Sequence, residues 1–63
     1  MPDVQIIVDT VIKSLSITER RKVDKAVLQN FIEKRMEETG DEEHTILLLS
    51  GLTFARSQAA RRV

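Results

Sequence analysis

The sequence predicts an all-α protein, an antiparallel helical hairpin with a short N-terminal helix, self-associating into a helical bundle. Three observations carry this. Only two glycines and one proline occur in 63 residues, so little interrupts a helix. Apolar residues recur at helical spacing in three successive segments. Residues suited to starting and ending helices fall between those segments.

In the first segment, expected as a helix over residues 4–15, the apolar positions are Val4, Ile7, Val8, Val11, Ile12 and Leu15. They trace one face at i, i+3, i+4, i+7, i+8 and i+11. Asp3 supplies an N-cap. A strand competes, because Val4, Ile6 and Val8 alternate and the run is β-branched. Six positions fit the helix and three fit the strand, so helix is the better reading.

The second helix is expected over 17–39. Ser16 and Glu19 have the spacing of a capping box, with Thr18 a competing cap. No breaker follows before Gly40, which tolerates the backbone that ends helices. Val23, Val27 and Phe31 form one row, and Leu28, Ile32 and Met36 an adjacent one. A helix of about 22 residues is roughly 33 Å long at ~1.5 Å per residue, enough to run the length of the fold. The third helix is expected over 41–61, capped by Asp41, with Glu42 and Glu43 favoured at its positive end. Leu48, Leu52, Ala55 and Ala59 make the expected inner stripe. The short link around Gly40 folds the second and third helices into a hairpin.

A domain this small buries only about 60% of the surface of its unfolded chain and is marginal alone. Disulfides are excluded, since there is no cysteine. A metal site is not expected, because His44 is the lone histidine and zinc sites combine Cys and His. Good helix packing or self-association remains. Ten basic and ten acidic residues cancel, so any nucleic-acid role rests on charge placement. No segment approaches the roughly 20 apolar residues of a bilayer span. No basic region precedes the first apolar run, so no signal peptide is expected and the cytoplasm is the expected location.

Two features point to contacts. Ile46, Leu47, Leu48 and Leu49 are consecutive, and on a helix they point in all directions. Either the first helix covers the far side, or an interface between chains does. The expected interface comprises Ile46, Leu47, Leu48, Leu49, Gly51, Leu52, Phe54 and Ala55. Gly51 costs roughly 1 kcal/mol against Ala in a helix, tolerable where a neighbouring helix comes close.

The other feature is charge. Residues 37–43 hold five carboxylates and no base, whereas Arg20, Arg21, Lys22 and Lys25 open the second helix and Arg56, Arg61 and Arg62 lie late in the third. An antiparallel hairpin gathers these cations at one end, opposite the acidic turn. Cations in a first turn oppose the helix dipole, so the group reads either as a solvated face or as a contact surface for an acidic partner.

Catalysis is not expected: no nucleophile has a neighbouring base, and no Gly-rich phosphate loop is present. Three short helices can hardly build a substrate pocket, and no cofactor is implied. The stretch GLTFARSQAARRV could pass for a recognition helix, with Arg56, Gln58, Arg61 and Arg62 outward. The acidic turn before it would repel phosphates.

Taken whole, a chain opening MPDVQIIVDTVIKSLSITERRKVDK and closing GLTFARSQAARRV resembles the small accessory proteins of lambdoid temperate phages, those encoded in the early region between the recombination and excision genes. The resemblance spans the chain and rests on size and general character. It implies modulation of the host or of phage development through protein contacts, and it assigns no site residues. The expected function is therefore a non-enzymatic regulatory or adaptor protein with a protein partner. The alternative is a small DNA-binding transcriptional regulator using the basic end (Arg20, Arg21, Lys22, Arg56, Arg61 and Arg62).

Overall fold

A computed structural model describes residues 3–40 and 43–61, apart from the side chain of Thr39. Among these residues there are four helices and no strand: α1 (Val4–Ser14), α2 (Ile17–Lys22), α3 (Lys25–Thr39) and α4 (His44–Arg61). Asp3 caps α1 as expected, its carboxylate accepting from Gln5 N. Ile7, Val8 and Val11 on α1 are buried, and so is Leu15 just beyond it. The helical row therefore overrides the β-branched composition, because burying that row stabilises by about 1.5–3 kcal/mol per large side chain. The helix ends at Ser14, one residue before the expected bound.

The expected second helix is two helices. The capping box at its start is present, with Glu19 N donating to Ser16 Oγ at 3.1 Å and Ser16 N to Glu19 Oε1 at 3.0 Å. The helix it opens lasts only six residues. Val23 and Asp24 are extended, and Asp24 becomes a new N-cap, its Oδ1 accepting from Ala26 N and Val27 N. A carboxylate here offers the backbone an alternative to continuing the helix. The break turns α2 onto α4 and leaves α3 to run beside α4.

Gly40 ends α3 with φ +72, its N–H donating to Met36 O at 2.9 Å. The third expected helix begins at His44 rather than at residue 41, and Glu43 O accepts from Leu47 N. Its expected cap Asp41, with Glu42, lies outside the described residues.

Helices α3 and α4 form the antiparallel hairpin, and α1 packs against both. The inner stripe of α4 keeps the expected Ala55 and Ala59, but Leu47 and Gly51 take the places expected for Leu48 and Leu52. It runs Leu47, Gly51, Ala55 and Ala59, with Leu48 and Leu52 half-buried beside it. The reason is Gly51. A Cβ built there would lie 3.0 Å from Val11 Cγ2 and 3.3 Å from Ile32 Cδ1. The bare backbone is thus where α1 and α3 close on α4 from two sides. On α3 the inward row is Leu28 and Ile32, and Val27 and Phe31 turn outward.

Replacing Gly51 by Leu should cost about 2–3 kcal/mol through overpacking, read as a lower urea midpoint. Ser50→Leu, one position away and only half-buried, should cost much less. Equal midpoints for the two variants would contradict this packing.

Candidate functional site

The eight residues expected at an interface divide around the helix. Leu47, Gly51 and Ala55 are buried in the chain's own core and are therefore withdrawn from any partner. Ile46 is 43% exposed and Leu49 60% exposed. Leu48, Leu52 and Phe54 are half-buried. Successive residues on a helix lie about 100° apart. With Leu47 pointing at α1 and α3, Leu49 is carried to the far side.

On that far side α3 and α4 form an open groove of about 490 Å³, floored by Phe31 and Phe54 and edged by Arg35, Leu49, Ser50 and Ser57. The two phenyl rings stack with centroids 4.3 Å apart and planes 7° apart. They are the only aromatic side chains in the sequence, and they bind the hairpin together at mid-length. Phe31 was not among the expected contact residues; its signal was only the Val23–Val27–Phe31 row, which read as core. Thr53 Oγ1 donates to Leu49 O, so that hydroxyl is already engaged within its own helix. Val27 is 40% exposed and continues the apolar strip beside Gln58 and Arg61. Gln58 Oε1 is buried without a hydrogen-bond partner.

The basic residues also separate. Arg20 turns back to α1: its Nε donates to Ile12 O at 3.1 Å and its Nη2 to Leu15 O at 3.3 Å. The break at Val23 puts Arg20 in the last turn of α2, where the helix dipole favours a cation, and its guanidinium also caps the C-terminal carbonyls of α1. Lys25 Nζ lies 3.5 Å from Asp9 Oδ1, an exposed pair joining α3 to α1. Lys22 and Arg56 share a shallow depression with Thr18 and Glu19. Arg21 is exposed. Arg61 belongs to the groove side, beside Val27 and Phe54. Arg62 lies outside the described residues. The expected single basic surface is thus dispersed over several directions.

Glu19 has its carboxyl held below the usual carboxylate range, first by the Ser16 backbone N–H, then by the Ser16 side chain, with Arg56 a smaller cause. Among the described residues no group of three or more Asp, Glu, His or Cys is placed to hold a metal ion, and no helix is long and apolar enough to cross a membrane.

Two outcomes test this arrangement. Arg20→Met should lower stability by about 1 kcal/mol, the worth of exposed hydrogen bonds to carbonyls, while Arg21→Met leaves the urea midpoint in place. Equal losses would remove the capping role. Glu19 is bound more tightly as the anion in the folded chain, so its contribution is present above the ordinary value of 4.5 and is lost as pH falls through the lower folded value. Wild type should accordingly lose more thermal stability on acidification below that value than Glu19→Gln, which caps without titrating. Parallel acid curves would contradict it.

Comparison with protein families, with curated proteins and with solved structures yields no match for this chain.

Proposed function

We propose that this chain is a non-enzymatic regulatory or adaptor protein that works through protein contacts on the outer face of the α3–α4 hairpin. One observation carries the reading. Leu49 is 60% exposed at the rim of a groove floored by two stacked phenylalanines. Of the other exposed aliphatics, Ile6 and Ile17 lie on α1 and α2, and Ile46 lies on α4 outside the groove lining; single exposed residues of that kind are ordinary. Here Val27, Leu49, Phe31 and Phe54 adjoin one another, and contiguous apolar surface marks association.

The chemistry of the lining agrees. Its polar members are Arg35 and hydroxyl side chains, with no carboxylate or imidazole to serve a hydroxyl as base. On this reading the protein modulates a host or phage process from the cytoplasm, as its resemblance to lambdoid accessory proteins implies. The DNA-binding alternative draws its support from Lys22, Arg56 and the exposed Arg21. It is weakened because Arg20 donates to carbonyls of α1 and Lys25 pairs with Asp9 at the surface.

The test pairs two measurements. Leu49→Asp should keep the helical circular dichroism and thermal midpoint of the wild type, yet lose the proteins that the tagged wild-type chain retains from producing cells. Random-sequence duplex DNA should give no anisotropy change with wild type at low or physiological salt. Unaltered retention by Leu49→Asp, with steeply salt-dependent DNA binding that Arg56→Glu abolishes, would establish the alternative instead.

A further inference from the structure

Helix α2 is turned the opposite way from a core helix. Its single aliphatic residue, Ile17, is 68% exposed. Glu19 and Lys22 are instead its half-buried residues, and they line a shallow depression with Thr18, Arg56, Ala59 and Ala60. Charged side chains are thus laid over Ala59, which is 5% exposed at the end of the inner stripe of α4. α2 buries no residue of its own.

What holds α2 in place is polar and lies near the surface. The capping box of Ser16 and Glu19 ties its first turn to itself. Arg20 bonds it to the end of α1 through Ile12 O and Leu15 O. Such hydrogen bonds replace bonds to water and contribute little net stability. The helix that follows does not lean on it. Asp24 caps α3 with its own carboxylate, which accepts from Ala26 N and Val27 N, and its carbonyl accepts from Leu28 N.

Both ends of α2 are built as hinges. Leu15 and Ser16 on one side, and Val23 and Asp24 on the other, have extended backbone. Each hinge is also anchored, because Leu15 is buried and Val23 packs partly buried against the core.

We infer that α2 is a detachable strap, which lifts from α4 as one unit between Leu15 and Val23 while α1, α3 and α4 stay packed. A segment with little buried apolar area and exposed hydrogen bonds opens at a lower free energy than the whole domain. Lifting bares Ala59 and releases the carbonyls of Ile12 and Leu15 from Arg20. The chain therefore has a closed state that covers this end of the core and an open state that makes it reachable. Arg20 is the clamp between the two, since its guanidinium bonds α2 to another helix.

Native-state hydrogen exchange of the whole chain in increasing, sub-denaturing urea tests this. In wild type the amides of Arg20, Arg21 and Lys22 should exchange faster than those of Val11 and Ala55. Their rates should also respond weakly to urea, because lifting exposes little surface. Ile32→Val, a small loss inside the core, should speed exchange at Val11 and Ala55 about fivefold and leave the α2 amides unchanged. Arg20→Met should speed exchange at Arg21 and Lys22 about fivefold. If the α2 amides follow Val11 and Ala55 in urea dependence and in their response to Ile32→Val, strap and core open together and the inference is overturned. Exchange at Arg21 and Lys22 indifferent to Arg20→Met would overturn the clamp.

Discussion

The fold turns on the missing side chain of Gly51. At that position Val11 Cγ2 and Ile32 Cδ1 come within contact distance of where a Cβ would be, so α1 and α3 both reach the backbone of α4. A protein with no Trp or Tyr and two Phe has little bulk to fill wide spaces between helices. Its interior of Ile, Leu, Val and Ala packs well only if the helices approach closely, since small gaps forfeit dispersion contacts. Glycine in mid-helix costs roughly 1 kcal/mol, which the contacts of two helices at one point offset.

The outer face follows from that contact. Once Gly51 points at α1 and α3, the i±4 stripe through Leu47, Ala55 and Ala59 is committed inward. Helical geometry then sends Leu49 and the Phe54 edge the other way. The core does not have room for four consecutive apolar residues, and α1 covers only the side it occupies. What remains outside is an apolar strip on the α3–α4 hairpin, with Arg35 and Arg61 beside it.

Much of the helical content was legible in the sequence, because it depends on local patterns. The α1 row, the Ser16–Glu19 capping box and Gly40 each act within a few residues of themselves. The break at Asp24 was less visible, since Asp24 sits inside an unbroken apolar rhythm and its capping competes with it at one residue only. Which leucine of the Ile46–Leu49 run turns inward could not be read locally, because that depends on the depth at which Gly51 seats α1 and α3. Arg20 shows the same limit. The expected conflict with a helix dipole vanishes because the break places Arg20 in the last turn of α2, and its partners Ile12 O and Leu15 O belong to a neighbouring helix end. The Phe31–Phe54 stack was hidden likewise, since its rings come from two helices whose register the sequence does not state.

The contact at Gly51 can be seen directly by proton NMR in dilute solution. Nuclear Overhauser cross-peaks are expected from the Val11 and Ile32 methyl groups to the Gly51 Hα protons, with none from Leu49 methyls to either residue. Cross-peaks joining Leu49 to Val11 or Ile32, with Gly51 silent, would mean that α4 is rotated about its axis, and the division into inner stripe and outer face would fall with it.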